Sequence, residues 1–385
     1  MKTNWDEVKL YHSGDEYYAE LVSLIRHAKK SVTLESYIFE MDPLSDIILV
    51  ELQLAVWRGC EVRLLVDGVG SYFWVDALTK RCHMENIPFR IYHPVPGILQ
   101  WIPNLPLALM SKTPVLFNRI NRRNHRKTLM VDNETALLGS FNITRVHSEK
   151  IMGPHTWRDS GVRLKGSALE SLVAAFDLAW NFSKNIPKFN LDSGWAKDKI
   201  TLIVQWQHLL RLNSNDRIRR FLYRDLCRRI RHCKKSVYIT TAYFLPNRSL
   251  LRALTKAAEH GLDVRVITPG PTDLPFVKWA AHQIPHKLYK AGVKIFEYQP
   301  RILHAKYMVL DDWCSIGSLN LNHRSLLHDL EVEAVLTDDV SLANIRQQFQ
   351  EDMLNCRPWD ETRYQATPWW WRSITKIFFK LRYWF

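Results

Sequence analysis

The chain has 385 residues, a formal net charge of +14 and a pI near 9.5. Its length fits two domains or one large pseudo-symmetric pair, and 46% hydrophobic residues suffice for a sizeable core. Six scattered cysteines contain no Cys-x-x-Cys, which argues against a zinc ribbon or a redox pair; they read as free thiols.

The excess of positive charge calls for a polyanionic partner, with nucleic acid and anionic lipid as the two candidates. The first residues, Met1 to Val8, have neither an apolar core nor a cleavage site, so no signal peptide is expected. No apolar run is long enough to span a bilayer, so membrane contact is expected to be peripheral.

In chain order, Tyr18, Leu21, Val22, Leu24, Ile25 and Ala28 follow helical spacing and predict a helix over 15–30. A strand is expected at 31–39, a helix at 44–58 ending at Gly59, and a strand at 61–67 stopping at Gly68. A helix over 73–84 and a strand over 88–92 follow. Alternation of this kind predicts an α/β sandwich with a mixed sheet.

The order then restarts. Ile25-Arg-His-Ala-Lys-Lys-Ser-Val32 recurs as Ile230-Arg-His-Cys-Lys-Lys-Ser-Val237, an offset of 205. Arg58-Gly59-x-x-Val62-Arg63 recurs as His260-Gly261-x-x-Val264-Arg265, and Tyr92-His93-Pro94 as Tyr298-Gln299-Pro300, offsets of 202 and 206. The chain therefore reads as a duplication. The join is expected in 184–199, giving halves 1–190 and 191–358 and a tail 359–385.

Two clusters stand at equivalent places in the halves. The first is His125-Arg-Lys127 with Asp132, then Gly139-Ser140-Phe141-Asn142; the second is His304-Ala-Lys306 with Asp311, then Gly317-Ser318-Leu319-Asn320. Their offset is 179, which locates an insertion of 27 residues between Pro94 and His125. The inserted stretch, 95–124, is apolar, proline-broken and closes on Arg119, Arg122 and Arg123. That composition suits a membrane-interface lip, or alternatively a loop folded over the core. The tail from Trp369 has the same composition, and as a helix it would set Arg372, Lys376 and Lys380 on one face.

Side chains at i and i+2 of a strand share a face. His125 with Lys127, Ser140 with Asn142, and their counterparts His304 with Lys306 and Ser318 with Asn320 are thus expected to converge as a phosphate site. Asp132 and Asp311 complete each catalytic signature, but their parity puts them off that face, where a charge-balancing role is expected. The Asp-to-Gly spacing is seven in the first copy and six in the second, so the two turns should differ by one residue.

A phosphodiester needs its non-bridging oxygens neutralised, a nucleophile, and an acid for the leaving alkoxide. Two lysines and two histidines supply these, with one imidazole attacking phosphorus and the other moving protons. No carboxylate cluster has metal-ligand spacing, so neither metal nor cofactor is expected.

Both clusters resemble the His-Lys-Asp signature of the phospholipase D superfamily. Over about residues 8–350 the chain further resembles bacterial cardiolipin synthases, especially a B type without an N-terminal transmembrane pair. Supporting stretches include Leu34-Glu-Ser-Tyr-Ile-Phe39, Val66-Asp-Gly-Val-Gly-Ser71, Trp157-Arg-Asp159, Ala242-Tyr-Phe-Leu-Pro246 and Leu330-Glu331. The resemblance implies two pseudo-symmetric α/β/α sandwich halves with mixed sheets and an active site at their interface. It also implies that Asp159 and Glu331 brace the catalytic histidines.

Asn320-Leu-Asn-His-Arg-Ser325 departs from the usual Asn-x-Asp-Pro-x-Ser of the synthases, which bears on the acceptor site. The activity implied is phosphatidyl transfer through a phosphohistidine, two phosphatidylglycerols giving cardiolipin and glycerol, with phosphatidylethanolamine as a variant donor. His125 is expected as nucleophile and His304 as acid/base; the reverse stays open. The expected partners are phospholipid substrates and an anionic membrane surface at the cytoplasmic side of the inner membrane, not nucleic acid. The alternatives are a phosphodiesterase hydrolysing phospholipid or nucleic acid, and a non-catalytic membrane scaffold. The oligomeric state stays open.

Overall fold

The computed structural model describes residues 4–95, 122–183, 193–371 and 374–375. The insertion at 95–124 and the tail beyond Trp371 lie almost wholly outside the described residues.

The first half carries strands β1 (Glu7–Tyr11), β2 (Ser31–Ser36), β3 (Glu61–Asp67), β4 (Phe89–Tyr92), β5 (Thr128–Val131), β6 (Thr135–Gly139) and β7 (Gly161–Lys165). The second carries β8 (Leu210–Leu212), β9 (Ser236–Thr240), β10 (Asp263–Pro269), β11 (Lys294–Tyr298), β12 (Tyr307–Leu310), β13 (Trp313–Gly317), β14 (Val332–Leu336) and β15 (Cys356–Pro358). The sheet orders are β1-β7-β6-β5-β2-β3-β4 and β15-β11-β10-β9-β12-β13-β14-β8. Read from opposite ends they are one topology, with β15 added to the second edge. Both sheets are mixed: β2-β3-β4 and β9-β10-β11 run parallel, and the remaining pairs are antiparallel.

Helix boundaries repeat with the same chemistry. Helix Pro43–Trp57 starts at Asp42, which accepts the Ser45 N–H at 2.9 Å while the Ser45 hydroxyl accepts the Asp42 N–H at 2.8 Å. Helix Arg248–Glu259 starts at Asn247, which accepts from Ser249 and Leu250. Each runs out near a glycine in the left-handed region, Gly59 and Gly261. The first helix, expected over 15–30, stops at Arg26, because Asp132 takes the following backbone N–H groups.

The strands alternate between two cores, as their period requires. Leu129, Val131 and Leu137 face an outer core under helices Gly14–Arg26 and Pro43–Trp57. Met130, Ala136 and Leu138 face inward and meet Tyr307, Val309, Cys314 and Ile316 of the other sheet. Helices Leu169–Phe182 and Asp339–Leu354 add Leu172, Ala175, Leu342 and Phe349 to this shared core. The halves are thus joined through a common apolar interior, and the clusters lie along that seam.

Candidate active site

His125 and Lys127 precede β5, and His304 and Lys306 precede β12, so the histidines are not strand residues as expected. Cross-half backbone pairing fixes them instead. His125 N–H donates to Leu330 O at 2.9 Å, and Leu330 N–H to Arg123 O at 2.8 Å. In the mirrored arrangement, His304 N–H donates to Arg158 O and Arg158 N–H to Ile302 O, both at 2.8 Å. Ser140, Asn142, Ser318 and Asn320 likewise lie just past β6 and β13 rather than on them.

This pairing exchanges the acids. His125 Nδ1 lies 3.0 Å from both oxygens of Glu331, in the second half. His304 Nδ1 lies 2.7 Å from Oδ1 of Asp159, in the first. The motif glycines make this possible. A Cβ on Gly139 would stand 2.4 Å from Ser160 O, and one on Gly317 2.1 Å from Val332 O. Only glycine lets β6 and β13 approach the neighbouring chain that carries each acid.

Lys127 Nζ donates to His125 O at 2.7 Å and Lys306 Nζ to His304 O at 2.5 Å. An ammonium has three protons, so each lysine keeps donors for a ligand. Tyr37 packs on His125 with ring centroids 4.8 Å apart, and Lys127 Nζ sits 5.0 Å from the Tyr37 ring centroid. The second cluster is felt at the first: Lys306 adds to the depression of His125 and Lys127.

Burial, reinforced by Lys127, holds the His125 imidazole well below its ordinary value. Burial and then Lys306 lower His304. Burial also lowers both ammonium groups, Lys127 strongly and Lys306 to about 8, against the pull of the acids. The two braces diverge. Burial raises Glu331 to about 7 against Lys127, whereas at Asp159 the two imidazole partners, His147 and His304, overcome burial and hold the carboxyl well down.

The hydroxyls have uses other than the expected phosphate contact. Ser140 donates to Ser160 O at 3.1 Å, and Ser318 donates to Glu331. Each has one proton, and it is already directed. Asn142 Oδ1 accepts the Ile38 N–H at 3.2 Å, while Asn320 Oδ1 is buried with no partner among the described residues.

Asp132 and Asp311 are not brought to the histidines. Asp132 accepts from the backbone N–H groups of Lys29, Lys30 and Ser31, and Asp311 from those of Lys234, Lys235 and Ser236. Three residues separate β5 from β6 and two separate β12 from β13, the one-residue difference read from the spacing.

Sequence reasoning missed His147, whose Nδ1 lies 2.7 Å from Asp159 Oδ2. It also missed Glu35, which accepts from Asn124, Arg126 and Thr128 and so anchors the first motif. The repeat register held a signal for His147: it stands five residues after Asn142, as Ser325 does after Asn320. Among the described residues, His147, Asp159 and His304 form the one set whose ligand atoms lie within 4.8 Å of one another. Here the imidazole Nδ1 atoms face the carboxylate as hydrogen-bond partners.

Residues 21–151 and 226–353 match the family model described as cardiolipin synthase, phospholipase D-like domain. The chain belongs to this family. Cardiolipin synthase 1 of Staphylococcus epidermidis is 29% identical over 373 residues, which are 95% of this chain and 71% of that protein. The cardiolipin synthase of Clostridium perfringens is 31% identical over 366 residues, 92% of this chain and 72% of its own. Phosphatidylserine synthase from Haemophilus influenzae Rd KW20 shares the fold, with a TM-score of 0.68 at 14% identity over 99% of this chain and 94% of that one. Polyphosphate kinase from Porphyromonas gingivalis shares it at 0.57, with 12% identity over 90% and 50% of the respective chains. As a cardiolipin synthase family member, the chain is a phosphatidyltransferase of the phospholipase D superfamily, and both His-Lys-Asp motifs are intact.

Proposed function

We propose that this chain transfers a phosphatidyl group from one phosphatidylglycerol to another, through a phosphohistidine on His125, releasing glycerol. The observation that carries the reading is the exchanged pair of His–acid contacts flanked by two buried lysines. A phosphodiester between them meets two cations and two imidazoles held by their Nδ1 atoms. The substrate-free site keeps His125 neutral, the state a nucleophile needs. His304 needs a proton to act as acid. The negative charge of a bound phosphodiester offsets the two ammonium groups and favours that proton.

Lys127 and Lys306 would hold the non-bridging oxygens, with the side-chain amides of Asn142 and Asn320 beside them. Asp132 and Asp311 act on the framework. Phosphatidylethanolamine is a second candidate donor.

Lipid substrates also fit the surroundings. Tyr243, next to Ala242 at the repeat position of Tyr37, lines a cavity of about 350 Å³ with Phe244, Trp279, Trp359, Arg363 and Trp371. That size and lining suit part of a lipid. Phe73 is 85% exposed in the Tyr72-Phe73-Trp74 run beside Ser71, whose hydroxyl donates to Tyr37 O. Trp369 is 75% exposed at the start of the aromatic and basic tail. Among the described residues no helix is long and apolar enough to cross a membrane. These features favour a peripheral enzyme on an anionic leaflet, placed at the cytoplasmic face of the inner membrane.

Mass spectrometry of products from vesicles of phosphatidylglycerol, with and without phosphatidylethanolamine, tests this. Cardiolipin with free glycerol is expected; phosphatidic acid as the sole product would make the chain a hydrolase. Flotation with nucleic acid rather than with anionic vesicles would reverse the choice of partner.

A further inference from the structure

Asp159 has a second partner for which the transfer chemistry provides no task. His147 is buried, and its Nδ1 lies 2.7 Å from Asp159 Oδ2, while His304 Nδ1 lies 2.7 Å from Oδ1. The other ring nitrogen of His147, Nε2, faces the backbone N–H of Asn142 at 3.3 Å. A backbone N–H can only donate, so Nε2 is the acceptor and carries no proton. The proton of the neutral ring is then on Nδ1, directed at the carboxylate. His147 is a donor that can neither turn nor change tautomer without losing a bond. Trp157 lies against both imidazoles, with centroids 5.6 Å from His147 and 5.5 Å from His304.

The other half is built differently at the same register. Ser318 donates a hydroxyl hydrogen bond to Glu331, and the Ser325 hydroxyl also favours that carboxylate. A hydroxyl rotates and can exchange donor for acceptor; an imidazole with both nitrogens committed cannot. Glu331 faces His125 with both oxygens at 3.0 Å, whereas Asp159 presents one oxygen to each histidine.

We propose that His147 is a positioning residue for His304. By occupying Asp159 Oδ2 it reserves Oδ1 for His304, which is thereby held with a proton on Nδ1 and with Nε2 toward the reacting oxygen. This rests on the reading of His304 as the acid–base group. In the first step the His304 imidazolium passes its Nε2 proton to the glycerol oxygen. The P–O bond to glycerol breaks as the P–N bond to His125 forms. In the second, the acceptor hydroxyl gives its proton to His304 Nε2, its oxygen bonds to phosphorus, and the P–N bond breaks. The Nδ1–H stays with Asp159 throughout.

Two isosteric changes separate this role from a structural one. His147→Asn keeps an N–H near the place of Nδ1; His147→Gln moves the amide to the place of Nε2, keeping the Asn142 contact and withdrawing the donor from Asp159. Both are assayed on phosphatidylglycerol and on phosphatidyl-p-nitrophenol, whose phenolate leaves without a proton. With phosphatidylglycerol, His147→Gln should lower kcat about 10- to 100-fold at unchanged KM, and His147→Asn should recover most of it. Nitrophenol release by His147→Gln should fall less than about threefold. Equal losses on both substrates, or full turnover of phosphatidylglycerol, would overturn the proposal. Nitrogen-15 spectra of the histidine rings give a readout independent of turnover: His304 should hold the Nδ1–H tautomer in the unaltered protein and a tautomer mixture in His147→Gln. An unchanged tautomer would also overturn it. If the unaltered protein releases nitrophenol but makes no cardiolipin, the substrate reading fails alone, and the tautomer comparison still tests His147.

Discussion

His125 and His304 occupy equivalent places, yet the segments that carry them are anchored by opposite means. Around His125 the anchors are ionic. Arg126 donates to Glu35 at 2.8 Å, Asn124 N–H donates to Asp67 at 2.8 Å, and Arg123 lies 3.6 Å from Asp67, all fully buried. The repeat positions around His304 are Thr240, Pro269, Ile302 and Ala305, and Leu303 and Ala305 simply join the shared apolar core. Apolar anchoring tolerates imperfect neighbours. A buried ion network is stable only when every member is present, because one lost partner leaves a desolvated charge. The first motif is therefore the one whose own segment carries buried charge, whereas near His304 the buried pair Arg158–Asp352 lies on the neighbouring elements; the first is also the one next to the insertion.

The sharpest way to break the symmetry is to remove each histidine. His125→Ala and His304→Ala should each lower phosphatidyl transfer by about 10⁴-fold or more. They should differ with phosphatidyl-p-nitrophenol: His304→Ala is expected to accumulate the phosphatidyl adduct on His125, detected by intact-protein mass spectrometry, and His125→Ala to form none. The opposite pattern would exchange the two roles.

The lysines come next. Lys127→Ala or Lys306→Ala should raise the barrier by about 3–4 kcal/mol, measured as kcat/KM, since each removes a cation from the transferring phosphoryl oxygens. Unequal losses would locate the step at which each cation acts.

The braces should respond oppositely to pH. The carboxyl of Glu331 is raised from 4.5 to about 7, so its folded form binds the proton more tightly than the unfolded chain does. The stability this adds is present below about pH 4.5 and is lost as pH rises through about 7, on the order of 3 kcal/mol. Asp159 is lowered, so its contribution is present above the ordinary aspartate range and is lost as pH falls. In denaturant titrations, Glu331→Gln should flatten the decline between pH 4.5 and 7, and Asp159→Asn should flatten the acid side. Equal slopes in the two variants would remove the electrostatic distinction between the halves.

The smallest effect is expected farthest from the chemistry. Asp132→Asn should cost about 1–2 kcal/mol of stability, because an amide replaces a carboxylate that accepts three backbone N–H groups. Transfer by the folded protein should be nearly unchanged. Loss of turnover with folding intact would give Asp132 a place in the chemistry.

Much of this architecture was legible because duplication writes spacing twice. The repeat offsets anticipated the matching sheet orders, and the parity of Asp132 placed its carboxylate away from the histidines. That Asp159 and Glu331 brace the histidines was legible only through resemblance; that each serves the histidine of the other half was not read, since His125 and Glu331 are 206 residues apart and no local periodicity links them. The roles of Glu35 and His147 were not read, because each depends on which way a side chain turns once the halves meet. The hydroxyls of Ser140 and Ser318 were read as ligand donors because spacing does not say where a single proton points.

The crossing of the acids also has a consequence in time. During synthesis His125 leaves the ribosome long before Glu331. At about 5–20 residues per second, the 206 residues between them take roughly 10–40 s. Over that interval the first half can fold, but its histidine has no acid to orient it, and Asp159 still awaits His304. A nascent or truncated chain thus carries His125, the proposed nucleophile, without its acid. On the proposed mechanism, reactivity toward phosphodiesters would begin only when the second half docks and each histidine meets its acid.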